Sequence, residues 1–251
     1  MPNEMISNSV RRNGMFDITT AEVLYRLLDD GEDALDVGAH VGLMSTVMAL
    51  RARRVRSLEP HPDVFSRLER NAARFNAAMK REVMSPIQAA ASSAAGEQTL
   101  VLPDSWGGNT GSATLAGPEE SSAAGIRVAC VALDDLLAES FRPAVMKLDV
   151  EGHELAVLGG ASRLMQHSLR DVVFEDFGVY PTPVMEFFEA HGFTLFAISR
   201  SLLRPRISSP DRSGLSKRTD PNYLATRDPG RARARMHPMK WNVLRTMMPR
   251  E

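Results

Sequence analysis

The sequence predicts an α/β protein whose core is a doubly wound, mostly parallel sheet. Two observations support this fold class. Short apolar segments with the composition of buried strands alternate along the chain with longer segments whose apolar residues recur at helical spacing. The longer segments are also long enough to form the crossover helices that join parallel strands. A chain of 251 residues, of which 43% are hydrophobic, can bury the core of one such domain.

The predicted elements follow this alternation from the first helix onward. A Thr cap opens that helix and Gly31 ends it, and Gly192 follows the last predicted helix. Strands are expected at residues 34–37, 55–60, 87–93, 144–150, 171–177 and 194–201. Helices are expected at residues 19–30, 42–53, 61–76, 155–165 and 181–191. This order predicts helices on both faces of the sheet.

Residues 96–133 interrupt the alternation. A Gly/Ser-rich stretch at 104–125 lies between two strand-like segments, 97–103 and 126–133. We expect a Gly/Ser-rich insertion near the top of the sheet. Such a loop can form part of a substrate pocket, or it can be a plain surface loop.

Charge and cysteine content narrow the class of protein. The formal net charge is −1, so no overall field attracts nucleic acid or an anionic membrane. The single cysteine, Cys130, cannot form an internal disulfide. The N-terminal residues lack the apolar core of a signal peptide, and no segment has the length of a transmembrane helix. We therefore expect a cytoplasmic protein with no nucleic-acid partner and no stable membrane insertion.

The loop after the first strand carries the strongest ligand signal. It reads DVGAHVG from Asp36 to Gly42, at the usual cofactor position of such sheets. A nicotinamide loop needs a glycine where His40 stands, and no G-K-[S/T] follows to make a P-loop. A carboxylate at Asp36 would repel a pyrophosphate but attract the ammonium group of an amino-acid-like ligand.

Glu59 adds a second signal at the end of the second strand. An acidic side chain at this position can accept hydrogen bonds from ribose hydroxyls. Adenosine joined to an amino-acid moiety without a pyrophosphate describes S-adenosylmethionine, which leaves S-adenosylhomocysteine as the product. The alternative is a glycine turn that serves only helix packing.

A polar cluster follows the strand at 144–150. Lys147 and Asp149 alternate onto the same side of the strand, and Gly152 permits a sharp exit into the next helix. We therefore expect Asp149 and Glu151 at the mouth of the sheet beside the cofactor loop. Alternatively, Glu151 complements the dipole of the following helix and Asp149 is a plain strand-end acid.

Several segments occur in a characteristic order: DVGAHVG, LEPHP, AASSAAGEQTL, GGNTGSATL, VALDDLL, MKLDVEGHELAVLGGA and VVFE. In this order they resemble the FkbM family of S-adenosylmethionine-dependent methyltransferases. The resemblance implies a Rossmann-like, class I methyltransferase domain at residues 17–227, after an N-terminal arm at 1–16. It also implies methylation of a hydroxyl on a small molecule such as a polyketide, a sugar or another natural product. A basic tail with helical character remains at 228–251, and it is expected to dock on the domain or on a second subunit of a homo-oligomer.

The resemblance also implies roles for individual residues. The loop around the methionine part would contain Asp36, Gly38, Ala39, His40 and Gly42. Glu59 would hold the ribose, Pro60 and His61 would shape the edge of the adenosine site, Ala90 and Ala91 would lie beside the adenine, and Asp149 and Glu151 would line the reaction centre. His153 inherits no role, because its position varies in the family.

Methyl transfer to an alcohol needs an aligned acceptor oxygen and a group that takes its proton. Our hypothesis is that Asp149, Glu151 or His153 takes the proton. Four strand-end acids, Asp149, Glu151, Glu175 and Asp176, offer ligands for a divalent metal ion, which is not favoured because such acids are common without metal. The rival functions are N-methylation, methylation of nucleic acid or protein, and a non-catalytic cofactor-binding module.

Overall fold

The computed structural model of the protein describes residues 17–101, 113–115, 125–211, 213 and 221–243. The strands are β1 (Asp33–Val37), β2 (Arg54–Leu58), β3 (Met84–Ile87), β4 (Ala90–Ser92), β5 (Gly96–Val101), β6 (Thr114–Leu115), β7 (Ile126–Ala132), β8 (Pro143–Leu148), β9 (Asp171–Glu175), β10 (Thr194–Arg200), β11 (Pro205–Ser208) and β12 (Asn222–Thr226). The helices are α1 (Ile18–Leu27), α2 (Leu43–Ala49), α3 (Pro62–Met79), α4 (Leu133–Leu136), α5 (Glu154–Gly159), α6 (Ser162–His167), α7 (Pro183–Ala190) and α8 (Pro229–Met236).

The main sheet has eight strands in the order β11-β10-β12-β9-β8-β1-β2-β3. β1 pairs in parallel with β2 and β8, and the parallel pairing continues to β3 on one side and to β9 on the other. β12 lies antiparallel between β9 and β10. The chain thus moves outward from β1 in one direction and later from β8 in the other, so the crevice between β1 and β8 is the switch point where open α/β sheets bind ligands. The prediction of a doubly wound, mostly parallel sheet is confirmed.

Both faces of the sheet are covered, which explains why all five residues of β1 are buried. Ala34 of β1 and Val145 of β8 pack into one apolar cluster with residues of α1, α2, α3 and α8. Leu35 and Met146 point the other way, into a second cluster with residues of α5, α6 and α7. The sheet is therefore a rigid support for the loops at its carboxyl edge. Among the described helices, none combines the length and the apolar character that a bilayer crossing requires.

The predicted strand at 87–93 is two strands in two sheets. β3 forms the edge of the main sheet, where Pro86 costs no ladder bond, and β4 joins a second sheet in the order β4-β7-β5-β6. Between the two strands the chain turns, and the Ala89 amide donates a hydrogen bond to the Ile87 carbonyl at 3.2 Å. The run of alanines carries no turn residue that would reveal this break. The expected insertion thus contains its own sheet, whereas most of the Gly/Ser-rich stretch lies outside the described residues.

The predicted helix at 155–165 is also divided, into α5 and α6. α5 ends at Gly159, and the break falls at Gly160 and Ala161. A Cβ on Gly160 would lie 2.1 Å from the carbonyl oxygen of Ser92, so only glycine lets this turn approach β4. The first helix differs in its cap: Asp17, not a threonine, accepts the amide of Thr20 at 3.1 Å.

The C-terminal segment packs against α1 as far as it is described. The Arg26 guanidinium donates to the carbonyls of Arg235 and Pro238, each at 3.1 Å, and to that of Lys240. Glu22 pairs with Arg26 at 2.7 Å and accepts hydrogen bonds from the Asn242 side chain and the Val243 amide, as the distances of 2.8 Å show. A buried ion pair therefore holds this segment on the domain. The helical character expected of the tail is seen in α8 (Pro229–Met236), residues 237–241 are not helical, and residues 244–251 lie outside the described residues.

Replacing Arg26 with alanine is expected to lower the free energy of unfolding by about 3 kcal/mol. The substitution leaves the Glu22 carboxylate buried without its partner and removes the donor of three carbonyls. Denaturant unfolding measures the loss. Arg127→Ala is the matched control, because that side chain is 74% exposed in its pair with Glu97 and should change stability little. Equal losses for the two variants would contradict the prediction.

Candidate functional site

The loop between β1 and α2 lies over the switch point. Three of its residues have positive φ: Gly38 at 80°, His40 at 52° and Gly42 at 87°. The amides of Gly38 and Ala39 both donate to the carbonyl of Leu58, at 3.1 and 2.9 Å. Two left-handed glycines and one left-handed histidine thus curl the main chain tightly at the carboxyl ends of β1 and β2.

Glu59 joins this loop to the one that precedes α3. One carboxylate oxygen accepts the amide of His40 at 3.0 Å, and the other accepts the amide of His61 at 2.9 Å. His61 in turn caps α3 by accepting the amide of Asp63 at 3.2 Å, and Pro60 between the two is half-buried. Burial raises the pKa of Glu59 to about 7, although both amide hydrogen bonds oppose the shift. Each oxygen keeps a lone pair for a further donor.

Asp36 lies behind the loop rather than in a cavity wall. Its side chain is fully buried, and one oxygen accepts the Ser45 hydroxyl at 2.5 Å, which in turn accepts the Ser57 hydroxyl at 2.8 Å. Burial raises the pKa of Asp36, and the nearby Lys147 ammonium opposes that shift. Asp36 does not line the cavity beside the loop, and its contact with a ligand ammonium stays a prediction. Asp36 instead braces α2 against the sheet.

A cavity of about 260 Å³ opens beside this loop. Its lining combines the loop with side chains from the ends of β8 and β9 and from the start of α1: Gly38, Ala39, His40, Leu43, Met44, Lys147, Asp149, Glu175, Asp17 and Asn222. The Lys147 ammonium contacts the Asp149 carboxylate at 2.6 Å. Burial alone would lower the pKa of Lys147, but Asp149 and Asp36 outweigh burial and raise it. We refer to this space as the loop cavity.

A second cavity, of about 420 Å³, adjoins the first. The two share Asp149 and Glu175 in their walls. We refer to this second space as the wall cavity. Its other lining residues come from the β8–α5 turn, the start of α5, the segment between β9 and α7, and the start of α7: Glu151, Gly152, Glu154, Leu155, Asp176, Phe177, Thr182, Pro183 and Val184. A ligand in the loop cavity and a ligand in the wall cavity would therefore meet at Asp149 and Glu175.

Three carboxylates converge at this junction. Oxygens of Asp149, Glu151 and Glu175 lie within 4.8 Å of one another. Burial, followed by the charges of the neighbouring acids, raises the pKa values of both Glu151 and Glu175 to about 7. Glu151 also has a φ of 50°, which is uncommon for a residue with a side chain and is typical of functional sites. The sharp turn predicted at Gly152 therefore contains two consecutive residues with left-handed backbone conformation, Glu151 and Gly152.

The carboxylate cluster has some, but not all, of the features of a metal-binding site. The cluster of three carboxylates could hold a divalent cation, and Lys147 beside Asp149 competes with one. The fourth acid considered as a ligand, Asp176, accepts the Gly178 amide at 2.7 Å and the Thr182 hydroxyl at 2.5 Å instead. It fixes the segment that carries Phe177. A site without metal stays a prediction.

His153 lies away from the acidic cluster. Its Nε2 is 2.9 Å from the Ser92 hydroxyl at the end of β4, and burial lowers the pKa of the imidazole. It is not among the residues that line the two cavities. Ala90 and Ala91 are buried in β4, where one packs into the core of the second sheet and the other into the core of the main sheet. The structure therefore brings these three residues to β4 and not to the cavity walls described above.

Sequence reasoning did not anticipate three of the cavity residues. Asp17 lines the loop cavity as the cap of α1, and Phe177 lines the wall cavity with its side chain 65% exposed. Glu175 was considered only as a metal ligand. Its place at the end of β9, next to β8, was the available signal, because carboxyl ends of neighbouring parallel strands meet.

An open sheet with a glycine loop at its switch point, an acid closing β2 and a final antiparallel strand between the last two parallel ones is the architecture of class I methyltransferases. The match to a family model agrees with this class. The methyltransferase FkbM domain matches residues 36–195, and the chain belongs to this family. The resemblance drawn from the sequence is confirmed.

Two relatives illustrate the relationship. The hexuronic acid methyltransferase AglP of Haloferax volcanii is 32% identical over 160 residues, which is 61% of this chain and 61% of that protein. The crystal structure of methyltransferase FkbM from Methylobacillus flagellatus KT aligns with a TM-score of 0.50 at 17% identity and covers 79% of this chain and 44% of that one. The latter supports the fold. The chain thus spans less than two thirds of the length of either relative.

Proposed function

We propose that the protein transfers a methyl group from S-adenosylmethionine to a hydroxyl of a small molecule. The observation that carries this proposal is the meeting of two cavities at Asp149 and Glu175, one beside the glycine loop and one beside an exposed aromatic side chain. A transferase needs two ligands whose reacting atoms touch. The catalytic unit would be residues 17–227, with 228–251 as a docked tail.

The cofactor would lie along the loop cavity and the end of β2. Main-chain groups of Gly38, Ala39, His40 and Gly42 would surround its methionine part, with Asp36 acting through Ser45. The free lone pairs of Glu59 would accept the ribose hydroxyls, beside Pro60 and His61. Ala90 and Ala91 would back the adenine through β4. The fit is supported by Glu59, whose buried carboxylate is oriented by two amides before any ligand arrives.

Bound S-adenosylmethionine supplies a methyl carbon that its sulfonium sulfur already activates, so the leaving thioether needs no proton. The residues of this chain must hold the acceptor hydroxyl in line with that carbon and remove its proton. Glu151 lines the wall cavity beside the shared Asp149, and it is the group that we propose takes the proton. Lys147 would keep Asp149 ionised and fixed beside the reacting atoms.

The charge distribution supports a small-molecule acceptor. Two described arginines of the basic tail are engaged within the chain: Arg231 pairs with Asp29 at 2.7 Å and with Asp171 at 3.4 Å, and Arg235 also contacts Asp29. The positive charges of these two arginines are therefore not available to bind a polyanion. The relative named a hexuronic acid methyltransferase supports a sugar ring as one acceptor class, and the acid group of that relative's acceptor is not proposed for this chain.

The first test is calorimetric titration of the full chain with S-adenosylhomocysteine. Glu59→Gln is expected to weaken binding by about 10- to 100-fold, because the amide group of glutamine must face a backbone N–H and cannot accept from both ribose hydroxyls. Glu139→Gln is the matched control, since Glu139 is exposed and away from both cavities. A well-folded wild-type protein that does not bind S-adenosylhomocysteine would contradict the proposed function.

The same titration has a predictable pH dependence. Ribose hydroxyls donate to the ionised carboxylate, whereas the pKa of Glu59 in the free protein is about 7. Binding at lower pH must therefore release a proton, so affinity should rise as pH increases through 7 and then level off. Glu59→Gln should flatten this rise. An affinity that falls as the pH increases through 7 would contradict the assignment of Glu59.

A further inference from the structure

The wall cavity is rich in acidic side chains. None of the described residues that line it is Lys, Arg or His, whereas five are acidic: Asp149, Glu151, Glu154, Glu175 and Asp176. Three of the five already have partners within the protein. Lys147 contacts Asp149, the Gly152 amide donates to Glu154, and Gly178 and Thr182 donate to Asp176.

Glu151 and Glu175 differ from the other three. Within the described part of the chain, neither side-chain carboxylate takes part in a hydrogen bond or an ion pair, although both are half-buried. Their closest charged neighbours include each other and Asp149. A ligand group in this cavity therefore meets two carboxylates that accept no hydrogen bond from the described residues.

The lining of the wall cavity also includes apolar side chains. Phe177 exposes 65% of its surface and Leu155 exposes 43%, beside Val184 and Pro183. Phe177 lies on a segment whose main chain Asp176 holds through Gly178 and Thr182. An exposed aromatic ring in a cavity lining is suited to stacking on a flat or weakly polar ring of a ligand.

We propose that the wall cavity is the acceptor site and that it selects ring alcohols that are uncharged or carry an amine, against acceptors that carry a carboxylate. Phe177 stacks on the acceptor ring, and Glu175 sets the charge preference. A carboxylate placed between Glu151 and Glu175 would stand at about 4–6 Å from like charges in a partly dehydrated space, whereas an ammonium group would offset them. This inference rests on the proposed function, because it assigns the acceptor half of the same site.

The test uses three probes with one ring and different charges: benzyl alcohol, benzylamine and benzoate. Each is titrated by ligand-observed NMR into the full chain saturated with S-adenosylhomocysteine, at about pH 8, where Glu151 and Glu175 with pKa values of about 7 are mostly ionised. Benzyl alcohol and benzylamine are expected to bind at least about tenfold more tightly than benzoate. Phe177→Ala should weaken benzyl alcohol by about tenfold. Glu175→Gln should weaken benzylamine and strengthen benzoate while benzyl alcohol changes little.

Two controls separate these effects from general ones. Leu202→Ala removes another exposed apolar side chain, 90% exposed, and Glu139→Gln removes another exposed carboxylate. Neither should change the binding of any probe. Benzoate binding as tight as that of benzyl alcohol, no binding by any probe, or an unchanged affinity in Phe177→Ala would each overturn the inference.

The outcome also distinguishes the inference from the function on which it rests. Saturation with S-adenosylhomocysteine is measured first, so its failure removes the proposed function and the inference together. Saturation followed by probe binding without charge preference removes the inference and leaves the proposed function standing.

Discussion

Gly38→Ala is expected to destabilise the protein by about 3 kcal/mol or more and to abolish S-adenosylhomocysteine binding. A Cβ at this position would lie 1.7 Å from the carbonyl oxygen of Asp149 and 2.8 Å from its carbonyl carbon. Both are main-chain atoms of the β8 exit, so the loop or the exit must move. The φ of 80° adds strain for any residue with a side chain. Denaturant unfolding and calorimetry measure the two effects.

Gly31→Ala separates the steric effect from the conformational one. Gly31 has a similar φ of 88°, but nothing lies within 4 Å of its added Cβ. It should therefore cost only about 1 kcal/mol and leave the cofactor affinity unchanged. If Gly38→Ala is no less stable than Gly31→Ala, the loop does not pack against the β8 exit as described.

Glu151→Gln is expected to lower kcat by about 10²- to 10³-fold with little change in KM, because it removes the group that takes the acceptor proton. Steady-state kinetics with the acceptor found by screening measures the effect, and the assay should be unchanged by excess chelator. His153→Ala is the comparison variant, because the His153 ring lies within hydrogen-bond distance of the Ser92 hydroxyl and does not line either cavity. Loss of turnover in His153→Ala with retention in Glu151→Gln would transfer the role to His153.

The pH dependence of this reaction has a defined sign. The pKa of Glu151 is raised to about 7, and a base acts in its ionised form, so kcat should rise through pH 7 and level above it. The contribution of Glu151 to the free energy of unfolding changes with pH in the opposite direction. A carboxyl whose pKa is raised on folding stabilises the protein fully below its ordinary value of 4.5, and this contribution is lost as pH rises through 7. Glu151→Gln should therefore remove both the kinetic rise and part of the loss of stability.

Much of the fold could be predicted because its information is local. β1, β2 and β8 begin or end within a few residues of the predicted strands, since continuous apolar runs bounded by Gly, Pro or Asp mark buried parallel strands. The assignment of β3 and β4 to different sheets could not be predicted. Hydrogen-bond partners decide it, and a run of alanines is compatible with either pairing.

The candidate site was predictable to a similar extent. Motif spacing located Glu59, Asp149 and the loop glycines, because strand ends determine where such residues lie. The motifs do not encode burial or hydrogen-bond partners. The structure buries Asp36 behind the loop and places the His153 ring within hydrogen-bond distance of Ser92 in β4. Phe177 follows a strand end in the sequence, and only the tertiary structure shows that its ring stays exposed at a cavity.

The hold on the C-terminal segment bears on how this protein can diverge in evolution. Arg26 and Glu22 contact the segment through the carbonyls of Arg235, Pro238 and Lys240 and the amide of Val243, with the Asn242 side chain as the exception. Every amino acid carries a carbonyl. At positions 238 and 240 the contact with Arg26 therefore does not depend on which side chain is present, whereas Ala232, Met236 and Val243 are buried in the core and are constrained by packing.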